Sequence, residues 1–157
     1  MPIPVIRTAT AKDCDAIAAL LEELSRDEGK PCRVTPEHVR LSLFTPRAVE
    51  LRAQVAEISG EVIGATLYYS GYDTLSAGEG YHLAEIVVTA AHRRCGVARA
   101  LLAALSAQCL REGGKWLSLT VLRDNAPARG FYEALGMTHV AVDFYAMGPN
   151  ALMKISG

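Results

Sequence analysis

The chain has 157 residues, is 50% hydrophobic and 21% charged, and carries a formal net charge of -1. That length sets an expectation of one domain, residues 1–157, with enough chain to bury a core. There is no basic excess for a nucleic-acid partner, and no window approaches the roughly 18–20 apolar residues of a membrane span. Cys14, Cys32, Cys95 and Cys109 show neither C-x-x-C spacing nor neighbouring histidine pairs, so no metal site is expected. The start, MPIPVIRTAT, lacks the apolar run of a secretion signal. The expectation is a cytoplasmic protein with reduced thiols.

In chain order, Ile3 to Arg7 reads as a short strand, and Thr10 as the cap of a helix from Ala11 to about Arg26, with Asp13 three residues on. Ile17, Leu20, Leu21 and Leu24 fall on one face of that helix. Thr35-Pro36-Glu37 opens a second helix, which ends before Pro46. Val49 to Ile58 and Val62 to Tyr69 read as a hairpin around Ser59-Gly60-Glu61, and Tyr72 to Gly80 as a polar loop. A strand from Tyr81 to Thr89 follows, then a basic loop, then a helix from Val97 to Arg111 that stops at Gly113-Gly114. Trp116 to Leu122 is expected as a strand, Asn125 to Leu135 as a helix, and Thr138 to Lys154 as one or two last strands. The order β-α-α-β-β-β-α-β-α-β-β implies a mixed α/β sheet flanked by helices.

The basic loop carries the strongest chemical signal. Arg93-Arg94-Cys95-Gly96-Val97-Ala98 joins an apolar strand to a helix N-terminus. Unpaired N–H groups and the positive end of the helix dipole favour an anion there. Gly96 lets backbone approach a pyrophosphate closely, and the arginines add charge-assisted bonds. The alternative is a solvated basic turn.

Arg93-x-x-Gly96-x-Ala98 resembles the acetyl-CoA signature of the GNAT acetyltransferases. The helix Asn125-Ala126-Pro127-Ala128-Arg129-Gly130-Phe131-Tyr132 resembles that family's later element, with Met137 where an aromatic is usual. The resemblance implies the acyl-CoA N-acyltransferase fold: a twisted, mostly antiparallel sheet of six to seven strands flanked by about four helices. It implies acetyl-CoA as donor, with N–H groups from Arg94 to Arg99 on the phosphates and Ile86, Val87 and Val88 pairing with the pantetheine arm through backbone.

The resemblance also assigns roles. Tyr132 is the expected acid toward the leaving thiolate, its alternative being an ordinary packing aromatic. Glu85, the carboxylate among apolar neighbours on the central strand, is either the base, an anchor for the substrate ammonium, or a structural partner of an arginine. His82 is a weaker alternative base. Asn125 is either a contact to the CoA arm or a helix cap. The run Tyr68-Tyr69-Ser70-Gly71-Tyr72-Asp73 resembles the diamine N-acetyltransferase branch, which places Tyr72 and Asp73 with Glu85 as acceptor-binding residues and implies a homodimer. Ala84-Glu85 stands where that branch has two carboxylates. The expected acceptor is a primary amine: a small amine, a diamine or polyamine, or an amino acid. A protein N-terminus or lysine is an alternative acceptor, and a non-catalytic acyl-CoA sensor an alternative class.

Overall fold

The computed structural model describes residues 2–156. The chain divides into two compact units, Met1–Thr120 and Val121–Gly157. The first unit holds one five-stranded sheet in the order β1-β2-β3-β4-β5. These strands are β1 Val5–Thr8, β2 Leu51–Ile58, β3 Glu61–Asp73, β4 Gly78–Val88 and β5 Trp116–Leu119. The first four pair antiparallel and β5 joins β4 in parallel. The helices of this unit are α1 Cys14–Asp27, α2 Pro36–Phe44 and α3 Val97–Arg111.

Apolar periodicity sets the layers. Ile17 and Leu20 of α1 and Val39 of α2 pack with Ala53, Val55, Ala65, Leu67 and Val87 on one face of the sheet. On the other face, Val97 and Leu101 of α3 pack with Ala56, Ile63 and Val88. Fully burying a Leu or Val side chain stabilises by about 1.5–3 kcal/mol, so these two clusters fix both helix layers against the strands.

The start of α1 is pinned by charge. Asp13, buried at the end of a 3-10 turn over Ala11–Asp13, accepts from the Thr10 backbone N–H at 2.7 Å and receives Arg7 in two bonds of 2.8 Å. The Arg7 guanidinium, helped by Thr10, holds the Asp13 pKa down to about 2 against the opposing effect of burial. At the β2–β3 turn, Ser59 and Gly60 both have positive φ, as a two-residue type I′ hairpin demands.

Two expectations are corrected. Tyr72 to Gly80 is not all loop: β3 runs on to Asp73, and β4 begins at Gly78. Asp73 makes this tight reversal by accepting from the Leu75 N–H at 3.0 Å and the Ser76 hydroxyl at 2.5 Å. In the second unit, residues 138–147 form no ladder, and α5 Pro149–Ile155 replaces a strand. The alternation of Val140, Val142 and Phe144 has the period of a strand, but a strand also needs a partner. Pro149 at the first helical turn then starts a helix through Ala151, Leu152 and Met153. The sheet therefore has five strands where six to seven were expected, while its mixed, mostly antiparallel character stands. Among the described residues no helix is long and apolar enough to cross a membrane.

Candidate active site

The basic loop is shaped by backbone conformation. Arg94 has φ 61° and Gly96 φ 83°. A left-handed conformation costs a non-glycine residue roughly 1–2 kcal/mol, and such strain gathers at functional loops. Its result here is visible in the donors: among the described residues, the N–H groups from Arg94 through Arg99 have no hydrogen-bond partner. The first bonded amide of α3 is Ala100, which donates to Gly96. Arg94 and Arg99 join no ion pair among the described residues. Cys95 is exposed, with its thiol on the Arg93 carbonyl.

Arg93 is placed differently. Its Nε donates to the Val88 carbonyl at 2.9 Å, and its Nη2 to Glu23 at 2.8 Å and Asp27 at 2.7 Å, both on α1.

The strand before the loop offers a free edge. Pairing of β4 with β5 ends at Leu83 and Leu119, yet β4 runs on to Val88. Thr89 N–H bonds Ile63 on the β3 side. Backbone groups alternate in direction along a strand, so Val87 faces β3 while Ile86 and Val88 face the open edge. At this point the ladder also slips: Leu67 opposes Glu85 and Tyr68 opposes Leu83, leaving Ala84 as the extra residue of a bulge.

Glu85 therefore stands beside the bulge, on the face that Leu67 shares with α1. Its surface is open to solvent, but protein crowds the carboxyl, and this desolvation raises its pKa. The Glu28 carboxylate raises it further and the Lys30 ammonium opposes. Glu28 and Lys30, in the loop after α1, are themselves joined at 2.6 Å. Three residues back along β4, His82 Nδ1 lies 3.0 Å from the Ser118 hydroxyl on β5, with the Tyr69 ring centroid 5.1 Å from the His82 ring.

Tyr72 and Asp73 are not brought to Glu85. They lie at the far end of β3, and the six residues from Leu67 to Asp73 span roughly 20 Å of strand. Tyr72 is exposed, and Asp73 is committed to its turn, where the Ser76 hydroxyl and then the Leu75 N–H lower its pKa.

The second unit carries the remaining residues on α4 Ala126–Ala134. Asn125 caps this helix, its Oδ1 accepting from the Ala128 N–H at 3.2 Å. Gly136, at φ 85°, closes it: Gly136 N–H donates to Glu133 and Met137 N–H to the Tyr132 carbonyl, a Schellman pair. The Tyr132 and Phe131 rings meet edge-on at 5.2 Å.

The sequence matches the acetyltransferase (GNAT) family over residues 17–137. The chain belongs to that family. No curated protein sequence gave a match. Solved structures do. A protein described as a possible acetyltransferase from Clostridium difficile 630 is 22% identical, with a TM-score of 0.80, covering 94% of this chain and 98% of its own. A ribosomal-protein-alanine N-acetyltransferase from Brucella melitensis biovar Abortus 2308 is 21% identical, with a TM-score of 0.79, 94% of this chain and 100% of that one. An aminoglycoside acetyltransferase from an uncultured soil metagenomic sample is 19% identical, with a TM-score of 0.74, 94% and 99% covered. These likenesses speak for the fold, the mixed α/β GNAT architecture.

Within this GNAT chain, sequence reasoning passed over three sets of residues. Glu23 and Asp27 are acidic residues one helical turn apart, a spacing that marks a shared face; set against the basic loop, their charge was the available signal. Glu28 and Lys30 lie just past the predicted end of the first helix, outside every motif the sequence offers. Ser118 carried no signal, because only strand register places it beside His82.

Proposed function

We propose that this GNAT protein transfers the acetyl group of acetyl-CoA to a primary amine in a ternary complex. The observation that supports this reading best is the edge of β4, unpaired with β5 beyond Leu83 among the described residues, running directly into the loop of unbonded N–H groups. Together they offer main-chain partners for an extended pantetheine arm and, beyond it, donors for a pyrophosphate. Arg94 and Arg99 add uncommitted positive charge beside those donors.

In this reading Glu85 takes a proton from the acceptor ammonium, directly or through water. The amine nitrogen then attacks the thioester carbonyl carbon. The carbonyl oxygen draws on backbone N–H groups of the Ile86–Val88 stretch as it gains charge. The C–S bond breaks, Tyr132 gives its phenol proton to the departing thiolate, and the surplus proton left on the nitrogen returns through water to the phenolate, leaving the neutral amide. Desolvation makes Glu85 a stronger base than an ordinary glutamate, which suits it to proton removal.

The acceptor is read as a small amine. The resemblance to the diamine branch supports this, and one similar structure is named as an aminoglycoside acetyltransferase, while another is named for a ribosomal protein, the alternative class of acceptor. Ala84 withholds a second carboxylate from β4, but Glu28 brings another carboxylate whose field reaches Glu85. Asn125 serves as helix cap and, by resemblance, as a contact to the CoA arm. A homodimer is the assembly that the resemblance implies.

A panel of primary amines, scored by release of free CoA thiol from acetyl-CoA, tests the reading. Turnover of at least one amine is expected, with Tyr132→Phe lowering kcat on the order of 10²-fold. Binding of acetyl-CoA with no thiol release across the panel would favour the sensor class instead. An unchanged rate for Tyr132→Phe at every pH removes the acid role.

A further inference from the structure

The signature arginine of the loop faces inward. Arg93 donates from Nη2 to Glu23 Oε1 at 2.8 Å and Asp27 Oδ2 at 2.7 Å, and from Nε to the Val88 carbonyl at 2.9 Å. Glu23 Oε1 also accepts the Ala90 N–H at 2.8 Å. A single carboxylate on α1 thus holds both the entry of the loop and its arginine. Between Thr89 and Arg93 the loop is braced further, by the His92 N–H on the Thr89 carbonyl and by Thr89 Oγ1 at 2.9 Å from His92 Nδ1.

Charge decides what such an arginine can do. One guanidinium against two carboxylates leaves the cluster with a net negative charge, which repels a pyrophosphate. Arg94 and Arg99 have no such carboxylates. Glu23 and Asp27 stand one turn apart on α1, where like charges oppose each other, so Arg93 is also what allows them to share a face. The three side chains are half-exposed, and exposed ion pairs contribute little to stability. The cluster is therefore better suited to fixing position than to holding the fold.

We propose that Glu23 and Asp27 are positioning residues for donor binding, holding Arg93 as an internal strut of the loop, so that Arg93 is not itself a phosphate ligand. This rests on the reading of the loop as the acetyl-CoA pyrophosphate site. The strut fixes the loop from Val88 to Arg93, and the loop in turn sets the direction of the N–H groups from Arg94 through Arg99. Donors preset in direction bind without reorganisation.

The two roles for Arg93 give opposite signs in one variant. The double substitution Glu23→Gln and Asp27→Asn removes two negative charges near an anion site and leaves Arg93 charged. If Arg93 were a phosphate ligand held back by those carboxylates, CoA would bind more tightly. With Arg93 as a strut, the loop loses its brace, and the Kd for CoA, measured by titration calorimetry, rises on the order of tenfold. The KM for acetyl-CoA rises in parallel, while kcat at saturating donor stays within about twofold. Adding Arg93→Gln to the double variant changes nothing further, because the three act as one unit.

A Kd for CoA that falls or holds steady in the double variant overturns the proposal. So does a large further loss on adding Arg93→Gln. Thermal melting checks the fold, and the single Glu23→Gln variant, which retains Asp27, repeats the test with a smaller loss in the same direction. A wild-type protein that binds no CoA overturns the donor reading itself, and the strut with it.

Discussion

The proposed donor and acceptor regions of this molecule are built on opposite plans. The donor loop is one continuous segment, Thr89 to Arg99, whose working parts are main-chain N–H groups turned by positive φ at Arg94 and Gly96. The proposed acceptor region is assembled from side chains on separate elements: Glu85 on β4, Glu28 and Lys30 after α1, and the His82–Ser118 pair across the β4–β5 ladder. A ligand read by backbone needs only a loop shape, which many sequences supply. One read by side chains changes with each substitution. The difference explains how a family can keep one donor and vary its acceptors.

If the two regions are separable, a change in one leaves the affinity of the other intact. Glu85→Gln is the sharpest break. Loss of a positioned base lowers kcat/KM for the amine on the order of 10³-fold, while the Kd for CoA stays at its wild-type value. A matching loss of CoA affinity would show that the regions are not distinct. The pH profile gives the same test by titration. Because crowding around the carboxyl, and then Glu28, raise the Glu85 pKa, the acid limb of kcat/KM lies above the ordinary glutamate value, and Glu85→Gln abolishes that limb.

The converse change is Gly96→Val. A Cβ at Gly96 meets no atom within 4 Å, so the cost is conformational alone. A β-branched residue resists the left-handed conformation by roughly 1–2 kcal/mol, and the loop relaxes away from its donor-presenting shape. The expected outcome is a rise of about 5- to 30-fold in the KM for acetyl-CoA, with kcat at saturating donor and the KM for amine retained. Steady-state kinetics with each substrate varied separates the two.

The same contrast governs what could be read in the sequence. The donor loop was legible because Gly96, the strand before it and the Leu-rich helix after it are neighbours in the chain, and α3 came out over the predicted span, Val97 to Arg111. The capped helices and the hairpin at Ser59-Gly60 were legible for the same local reason. The direction of Arg93 was not, since its carboxylates lie some seventy residues earlier on α1. Nor was the bulge at Ala84, which exists only as a register slip between β3 and β4. The Tyr72-Asp73 run matched a pattern in order but lies far along the hairpin from Glu85. Alternation at Val140, Val142 and Phe144 gave a strand signal that no neighbouring strand completes.

α1 serves both regions, with Glu23 and Asp27 toward the loop and Glu28 just past its end. Weakening its anchor tests whether the comparison survives a loosened scaffold. Asp13→Asn removes the charge that pairs with Arg7 while keeping much of the shape. The expected loss is about 1.5 kcal/mol at neutral pH, read by denaturant unfolding, with both KM values within about twofold. Arg7 holds the Asp13 pKa to about 2 in the folded protein, below its ordinary value of 3.8. Asp13 thus contributes its full stability above about pH 4, and loses it as pH falls toward 2. The difference between wild type and Asp13→Asn should shrink over that interval. A shift in one KM alone would show that α1 favours one region.

The smallest expected effect has the opposite sign. Glu85 is more costly to ionise in the folded protein than in an unfolded chain, first because its carboxyl is crowded and then because Glu28 lies near. A carboxyl with a raised folded pKa contributes stability that is fully present below its ordinary value of 4.5 and lost as pH rises through the folded value. At pH 7 its charge therefore opposes folding, and Glu85→Gln should stabilise by about 0.3–0.5 kcal/mol, a modest gain because solvent screens an exposed carboxyl. That gain should vanish as pH falls below the ordinary glutamate value, where wild type is neutral as well. A variant less stable than wild type at pH 7 would mean that Glu85 has a favourable ionic partner in the fold, which would move it from acceptor chemistry to structure. The donor region predicts no such trade. Its strain resides in Arg94, a backbone cost that no change in protonation relieves, so only the acceptor side should exchange stability for activity as pH is varied.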